Sequence, residues 1–173
     1  ILLTRPLEDC KDLIIKLQNL GHKVSHFPVI KIESKKHEKI NFDEFAGIIF
    51  TSSNAVKNLN LKKINKNIPC FCVGSATEKI TRSNGFQNVY TADGNVNNLK
   101  EILLQNFNKK KRKLLYLSGE IISSNLDQDL ISEGYSVKRL INYSVLPIEK
   151  LDLKFIEDLK SSMPEMVYIY SQN

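Results

Sequence analysis

No stretch of this chain approaches the roughly 18 consecutive apolar residues of a membrane-spanning helix, so no membrane partner is expected. No secretory leader is readable either. Ile1-Leu2-Leu3 gives way at once to Thr4-Arg5-Pro6, too short for an apolar leader core. Cysteine is scarce: Cys10, Cys70 and Cys72 are an odd set with no C-x-x-C pair. That excludes a disulfide framework and a zinc ribbon, and predicts buried free thiols in a reducing cytoplasm. There is no G-x-G-x-x-G and no P-loop, which argues against dinucleotides and nucleoside triphosphates. No strand-end aspartate cluster of a phosphoryl-accepting receiver is present. His22, His26 and His37 lack metal-ligand spacing, so no metal is expected and the first two read as surface or strand residues. With no Ser-His-Asp or Cys-His arrangement to read, catalysis would lean on binding, orientation and one hydroxyl acid.

What is present is ordinary in bulk. At 42% hydrophobic and 25% charged residues the chain has the composition of a globular protein. Its 173 residues suffice for one large domain or two small ones. The net charge of +6 favours an anionic partner. The basic residues are scattered, however, and the run Lys109–Lys113 reads as a solvated loop between a helix and a strand. Without interleaved aromatics or a known module, no nucleic-acid partner is expected.

The distinctive feature is a repeat. Gly47-Ile-Ile-Phe-Thr-Ser-Ser-Asn54 is echoed by Met166-Val-Tyr-Ile-Tyr-Ser-Gln-Asn173, each an apolar run that stops in hydroxyl and amide side chains. Upstream, at a constant offset of 113 residues, Leu2 falls on Leu115, Leu17 on Leu130, and Gly21–Val24 on Gly134–Val137. Two similar α/β halves are expected, each offering a polar loop at a strand end, with a site between them. The chain starts with Ile, and its second copy stops right after the polar motif. A fragment lacking residues at both ends, more at the C-terminus, is therefore expected.

Periodicity predicts alternating elements. Strands are expected at Ile1–Thr4 (buried), Val24–Phe27, Val29–Ile32, Ile48–Phe50, Cys70–Val73, Val89-Tyr90, Leu114–Leu117, Val137–Val145 and Met166–Tyr170. Helices are expected from Pro6 to Gly21, over Ala55–Leu61 and Ala76–Ser83, around Leu99–Phe107 and Leu126–Ile131, and around Phe155–Leu159. Glu33–Lys39 reads as a polar linker. Strands alternating with helices indicate parallel sheets.

In such sheets ligands bind beyond the carboxyl ends of the strands. Those ends carry Thr4-Arg5, Thr51-Ser52-Ser53-Asn54, Gly74-Ser75-Ala76-Thr77, Ser118-Gly119-Glu120 and Tyr170-Ser171. Hydroxyls and helix N-terminal amides at five places on one rim favour a carboxylate or phosphate ligand, although Ser, Thr and Asn serve equally as helix N-caps.

Ile1-Leu-Leu-Thr-Arg-Pro6, Phe50-Thr-Ser-Ser-Asn-Ala-Val56, Val73-Gly-Ser-Ala-Thr77, Gly85-Phe86, Leu115–Glu120 and Gly134…Tyr143 follow one another as in the uroporphyrinogen-III synthase (HemD-like) family, which the chain resembles over nearly its whole length. The resemblance implies two flavodoxin-like parallel α/β halves joined by a two-stranded linker, Val29–Ile32 with Ser144–Ile148. The first domain would combine 1–32 with 146–173 and be C-terminally incomplete here. The second would span 33–145, with the site in the cleft between them. Thr51–Asn54 would face its counterpart Tyr170–Asn173 there.

The implied reaction is cyclisation of hydroxymethylbilane to uroporphyrinogen III, with loss of water, inversion of ring D, and no cofactor or metal. A cytoplasmic monomer is implied. Tyr143 matches the tyrosine thought to assist loss of the hydroxyl. Thr51, Ser52, Ser53, Asn54, Gly74, Ser75, Thr77, Gly119 and Ser171 match substrate-contacting loops, and Arg5 matches the family's Thr-Arg-Pro. Two departures stand out: Ser118 replaces a basic residue common before the turn glycine, and Ala46-Gly47 replaces an acidic one. From a different class, a non-catalytic two-lobed binding protein for a small anion would show the same repeat and strand ends.

Overall fold

The protein is described by a computed structural model covering residues 1–60, 64–108 and 113–169. Strands and helices alternate: β1 (Leu2–Leu3), α1 (Leu7–Asn19), β2 (Ser25–His26), β3 (Ile30–Ser34), β4 (Phe45–Phe50), α2 (Ser53–Lys57), β5 (Cys70–Val73), α3 (Ser75–Ser83), β6 (Val89–Ala92), α4 (Val96–Asn106), β7 (Lys113–Gly119), α5 (Leu126–Ser132), β8 (Val137–Pro147), α6 (Leu153–Ser161) and β9 (Val167–Tyr168). Two compact units result: Ile1–Glu33 with the segment from Val145 onward, and Ser34–Ser144. The chain passes between them inside β3 and again inside β8.

In the first unit, β2, β1 and β9 form a parallel sheet in that order. Helix α1 begins after Pro6, carries Glu8 and Asp9 at the positive end of its dipole, and buries Cys10. Phe155 of α6 stacks on Phe27, with ring centroids 4.1 Å apart.

The larger sheet runs β3-β8-β7-β4-β5-β6, with β4 to β7 wholly in the second unit. Strands β4 to β8 are mutually parallel. Ile48–Phe50, Cys70–Cys72 and Leu114–Leu117 are buried without interruption. Such continuous apolar runs are what a parallel sheet covered on both faces requires. One face packs Ile49, Phe71, Leu114 and Tyr116 against Leu99, Leu103 and Phe107 of α4 and its end, and Leu126 and Leu130 of α5. Cys10, Cys70 and Cys72 are buried and free. Among the described residues no helix is long and apolar enough to cross a membrane.

The sequence repeat is realised bond for bond. Leu2 pairs with Ser25 in β1–β2, and Leu115 with Lys138 in β7–β8, the same partners at the offset of 113. After α1, Gly21 N–H donates to Gln18 C=O and His22 N–H to Leu17 C=O. After α5, Gly134 N–H donates to Ile131 C=O and Tyr135 N–H to Leu130 C=O. Both are the paired bonds of a Schellman C-terminus. The last strands are exchanged between copies: Val167 of β9 pairs with Leu2, whereas Ile48 of β4 pairs with Leu115. Each sheet is thus begun by one copy and extended by the other, which makes the first unit discontinuous.

Several boundaries differ from the sequence reading. The strand expected at Val24–Phe27 is only Ser25–His26, although the Phe27 N–H still donates to Leu3 C=O (2.9 Å) and the Val29 N–H to Thr4 C=O (2.9 Å). β3 lies further along than Val29–Ile32 and takes in Glu33 and Ser34, expected as linker. The Lys35 N–H bond to Asn142 C=O (2.9 Å) carries that polar stretch alongside β8. Helix α2 starts earlier than Ala55 because Ser52 caps it, and it ends by Asn58, whose side chain bonds back to Asn54 C=O. The expected Leu61 lies outside the described residues. At β1 only Leu3 is fully buried. The order of the second unit is also not the 2-1-3-4-5 of flavodoxin. Numbered from β4, its parallel strands read 3-2-1-4-5, the doubly wound dinucleotide-fold order. Periodicity orders the elements along the chain but does not choose each strand's neighbour.

Candidate active site

A doubly wound sheet opens a crevice at the carboxyl ends of its strands where the winding reverses. In the second unit that point lies between β4 and β7. Thr51 follows β4, and its Oγ1 lies 3.1 Å from the Tyr116 hydroxyl of β7, so a hydroxyl pair spans the reversal. Tyr116 is 2% exposed. Burial pushes its phenol above the ordinary range, against the lowering effects of the Thr51 hydrogen bond and the Arg139 charge. Tyr116 therefore stays protonated at neutral pH and serves as a neutral partner for Thr51.

The rest of the β4 loop is partly consumed by structure. Ser52 Oγ accepts from the Asn54 N–H (3.2 Å) as the cap of α2. Asn54 is buried, and Ser53 is half-buried as the first residue of the helix. At the end of β5, Gly74 has φ +79°, a conformation side chains rarely adopt. It turns the chain directly into α3, leaving Ser75 exposed at the first position. Thr77 is buried, and its carbonyl accepts from Thr81 Oγ1 (2.8 Å).

The end of β7 is clamped from β8. Arg139 Nε donates to Ser118 Oγ (2.8 Å), while Nη2 donates to the carbonyls of Gly119 (2.9 Å) and Glu120 (3.1 Å). Lys35 Nζ reaches Glu120 Oε1 at 2.6 Å, and the Glu120 N–H donates to the Tyr143 carbonyl. Over this loop lies the Tyr143 ring, itself buried. A Cβ on Gly119 would stand 2.8 Å from Tyr143 Cζ and 3.0 Å from its Oη, so only glycine fits beneath the phenol. The neighbouring Asn142 is fully buried and donates from Nδ2 to the Ala55 carbonyl of α2 (2.7 Å).

The topology thus gathers Tyr143, Gly119, Thr51, Ser53, Gly74 and Ser75 at the carboxyl edge of one sheet, with Ser52, Asn54 and Thr77 supporting the loops. Arg5 belongs to the first unit, where its guanidinium pairs with Asp9 (3.2 Å) and its carbonyl accepts from His26 Nε2 (2.7 Å). His22 is exposed. Ser171, with the rest of Tyr170–Asn173, lies outside the described residues. Among the described residues no group of three His, Cys, Asp or Glu could hold a metal ion. Sequence reading missed Tyr116, Arg139 and Asn142. Tyr116 gave one signal, a polar tip inside the apolar run Leu114–Leu117; Arg139 and Asn142 stand in the mixed strand Val137–Pro147 and gave none.

A family model described as uroporphyrinogen-III synthase HemD matches residues 11–173. No curated protein matches the chain by sequence. Among solved structures, the uroporphyrinogen-III synthetase of Helicobacter pylori superposes with a TM-score of 0.58 at 22% identity. That match covers 82% of this chain and 63% of the other, so the chain spans less than two thirds of that relative. A mutant uroporphyrinogen III synthase from Thermus thermophilus gives a TM-score of 0.52 at 18% identity, covering 96% of this chain and 70% of that one.

Proposed function

The chain belongs to the uroporphyrinogen-III synthase family, and on that premise we propose that its protein cyclises hydroxymethylbilane to uroporphyrinogen III. Water is lost and ring D is inverted. The observation that carries the reading is the Tyr143 phenol held over Gly119 beside the hydroxyl-rich strand ends at the winding reversal.

The family resemblance supplies the chemistry, and these residues are assigned its roles. Tyr143 donates its hydroxyl proton to the departing ring A hydroxyl, which leaves as water and generates an azafulvenium cation. General acids in this role contribute about 10²–10⁴-fold. Ring D attacks through its substituted carbon to form a spiro intermediate, which fragments and recloses. The proton released on rearomatisation restores the phenol. No electrons are transferred overall, so the reaction calls for no redox cofactor, and no metal is assigned. Closure without the enzyme gives the uninverted isomer, so the protein's main task is to hold one conformation of the chain.

The substrate's eight carboxylates suit backbone amides, hydroxyls and a net positive charge. Thr51, Ser53, Gly74, Ser75 and the Gly119 turn are assigned to substrate contact, with Ser52, Asn54 and Thr77 shaping those loops. Arg5 and Ser171 are assigned to substrate contact from residues 1–32 and 146–173, taken as the first domain, with 33–145 as the second. The reaction is assigned to a cytoplasmic monomer. The test is to incubate the protein with hydroxymethylbilane, oxidise the products and separate the porphyrin isomers. Type III above the spontaneous background is expected; type I alone at the spontaneous rate overturns the proposal.

A further inference from the structure

The β7–β8 ladder holds regular register from Leu114↔Val137 to Ser118↔Ile141 and then slips, so that Gly119 pairs with Tyr143. Asn142 is the extra residue. Parallel ladders rarely carry such a bulge, and where bulges occur beside sites they re-aim a side chain. In unbroken register Asn142 would stand opposite Gly119, and Tyr143 one step beyond. The slip puts the phenol over the glycine.

Asn142 is held on both sides. Its carbonyl accepts from the Lys35 N–H of the segment after β3 (2.9 Å), and its Nδ2 donates to Ala55 C=O (2.7 Å). Ala55 lies in α2, directly after the Thr51–Asn54 loop. Asn142 Oδ1, by contrast, is buried with no hydrogen-bond partner among the described residues. An orphaned buried carbonyl is unfavourable, so the Oδ1 half of the amide is a cost of carrying asparagine here. The favourable half of this side chain is therefore the donor half, which joins α2 to the bulge.

We infer that Asn142 is a positioning residue for ring closure: it pins the β8 bulge to α2, fixing the Tyr143 phenol against both Gly119 and the Thr51–Asn54 loop. This role rests on the proposed synthase reading. It predicts a loss that falls on chemistry rather than on binding, because carboxylate contacts at the loops survive while the acid drifts. N142L and N142A should lower kcat at least about tenfold with KM near the wild-type value, and should raise the type I share of the product. Amide hydrogen exchange should accelerate at Lys35 and Tyr143 but not at Cys70–Val73.

Should N142L fail to fold, N142A, which forces no apolar group against Ala55 C=O, is read the same way. A folded N142A with wild-type kcat and isomer share overturns the role while the synthase reading stands. A wild-type protein yielding only type I product at the background rate overturns both. A fall confined to KM, or exchange accelerated uniformly through the sheet, assigns Asn142 to binding or general stability and overturns the positioning role.

Discussion

The ring of Tyr143 rests on Gly119, so closely that a methyl group there would lie 2.8 Å from Cζ. The bulge in β8 brings the two opposite each other, and Arg139 holds the glycine's carbonyl from the side. The catalytic proposal depends on that stack.

G119A is expected to displace Tyr143 rather than unfold the protein, since the clash is with a side-chain ring. Overpacking of this kind costs about 1–3 kcal/mol. Denaturant unfolding should show that loss, and the rate of type III formation should fall at least as far as in Y143F. A fully active G119A would separate Tyr143 from the reaction.

R139K should be costly although it keeps the charge. A lysine cannot reproduce the guanidinium fork that bonds Ser118, Gly119 and Glu120 together. A loss of about 1–3 kcal/mol in stability is expected from the carbonyls left unpaired. Turnover should drop with it, measured by thermal unfolding and isomer assay side by side.

Y116F removes a buried hydroxyl and strands Thr51 Oγ1. Net destabilisation of about 0.5–1.5 kcal/mol is expected. The accompanying effect should be a raised KM, because Thr51 is assigned to substrate contact. A changed kcat at constant KM would instead place Tyr116 in the chemistry.

Alkaline pH should destabilise the fold before the surface lysines titrate. Burial raises the Cys72 thiol to about 11, and it raises Cys70 further. Tyr116 is raised as well. In each case the folded state keeps a proton that the unfolded chain has lost. Stability is therefore unaffected below the unfolded value of each group and falls above it, from about pH 8.5 for the thiols and from about pH 10 for Tyr116, by up to about 1.4 kcal/mol per pH unit for each group. Urea midpoints across that range provide the measurement, and the double variant C70A/C72A should flatten the slope. The same burial should leave both thiols slow to alkylate in the native protein.

Much of this was legible in the chain. The apolar runs Ile48–Phe50, Cys70–Val73 and Leu114–Leu117 announced strands. Leu2 against Leu115 and Gly21 against Gly134 announced a repeated strand–helix–strand unit, because apolar patterning and helix termination are local properties. The pairing of β9 with β1 and of β4 with β7 was not legible: strand exchange between copies leaves no local mark. Nor were the partners of Tyr116, Arg139 and Asn142. Tyr116 is a polar tip in an apolar strand and Arg139 and Asn142 are polar residues among others in β8, and the partner of each comes from a segment distant in sequence. The bulge was hidden for the same reason, since a register slip belongs to two strands together.

The most direct measurement is the isomer composition formed from hydroxymethylbilane by the wild-type protein and by Y143F, at matched folded concentration. The wild type should give type III far above background. Y143F should remain folded and give type III about 10²–10⁴-fold more slowly. Type I alone from the wild type, or equal type III rates from both proteins, would contradict a ring-inverting synthase driven from Tyr143.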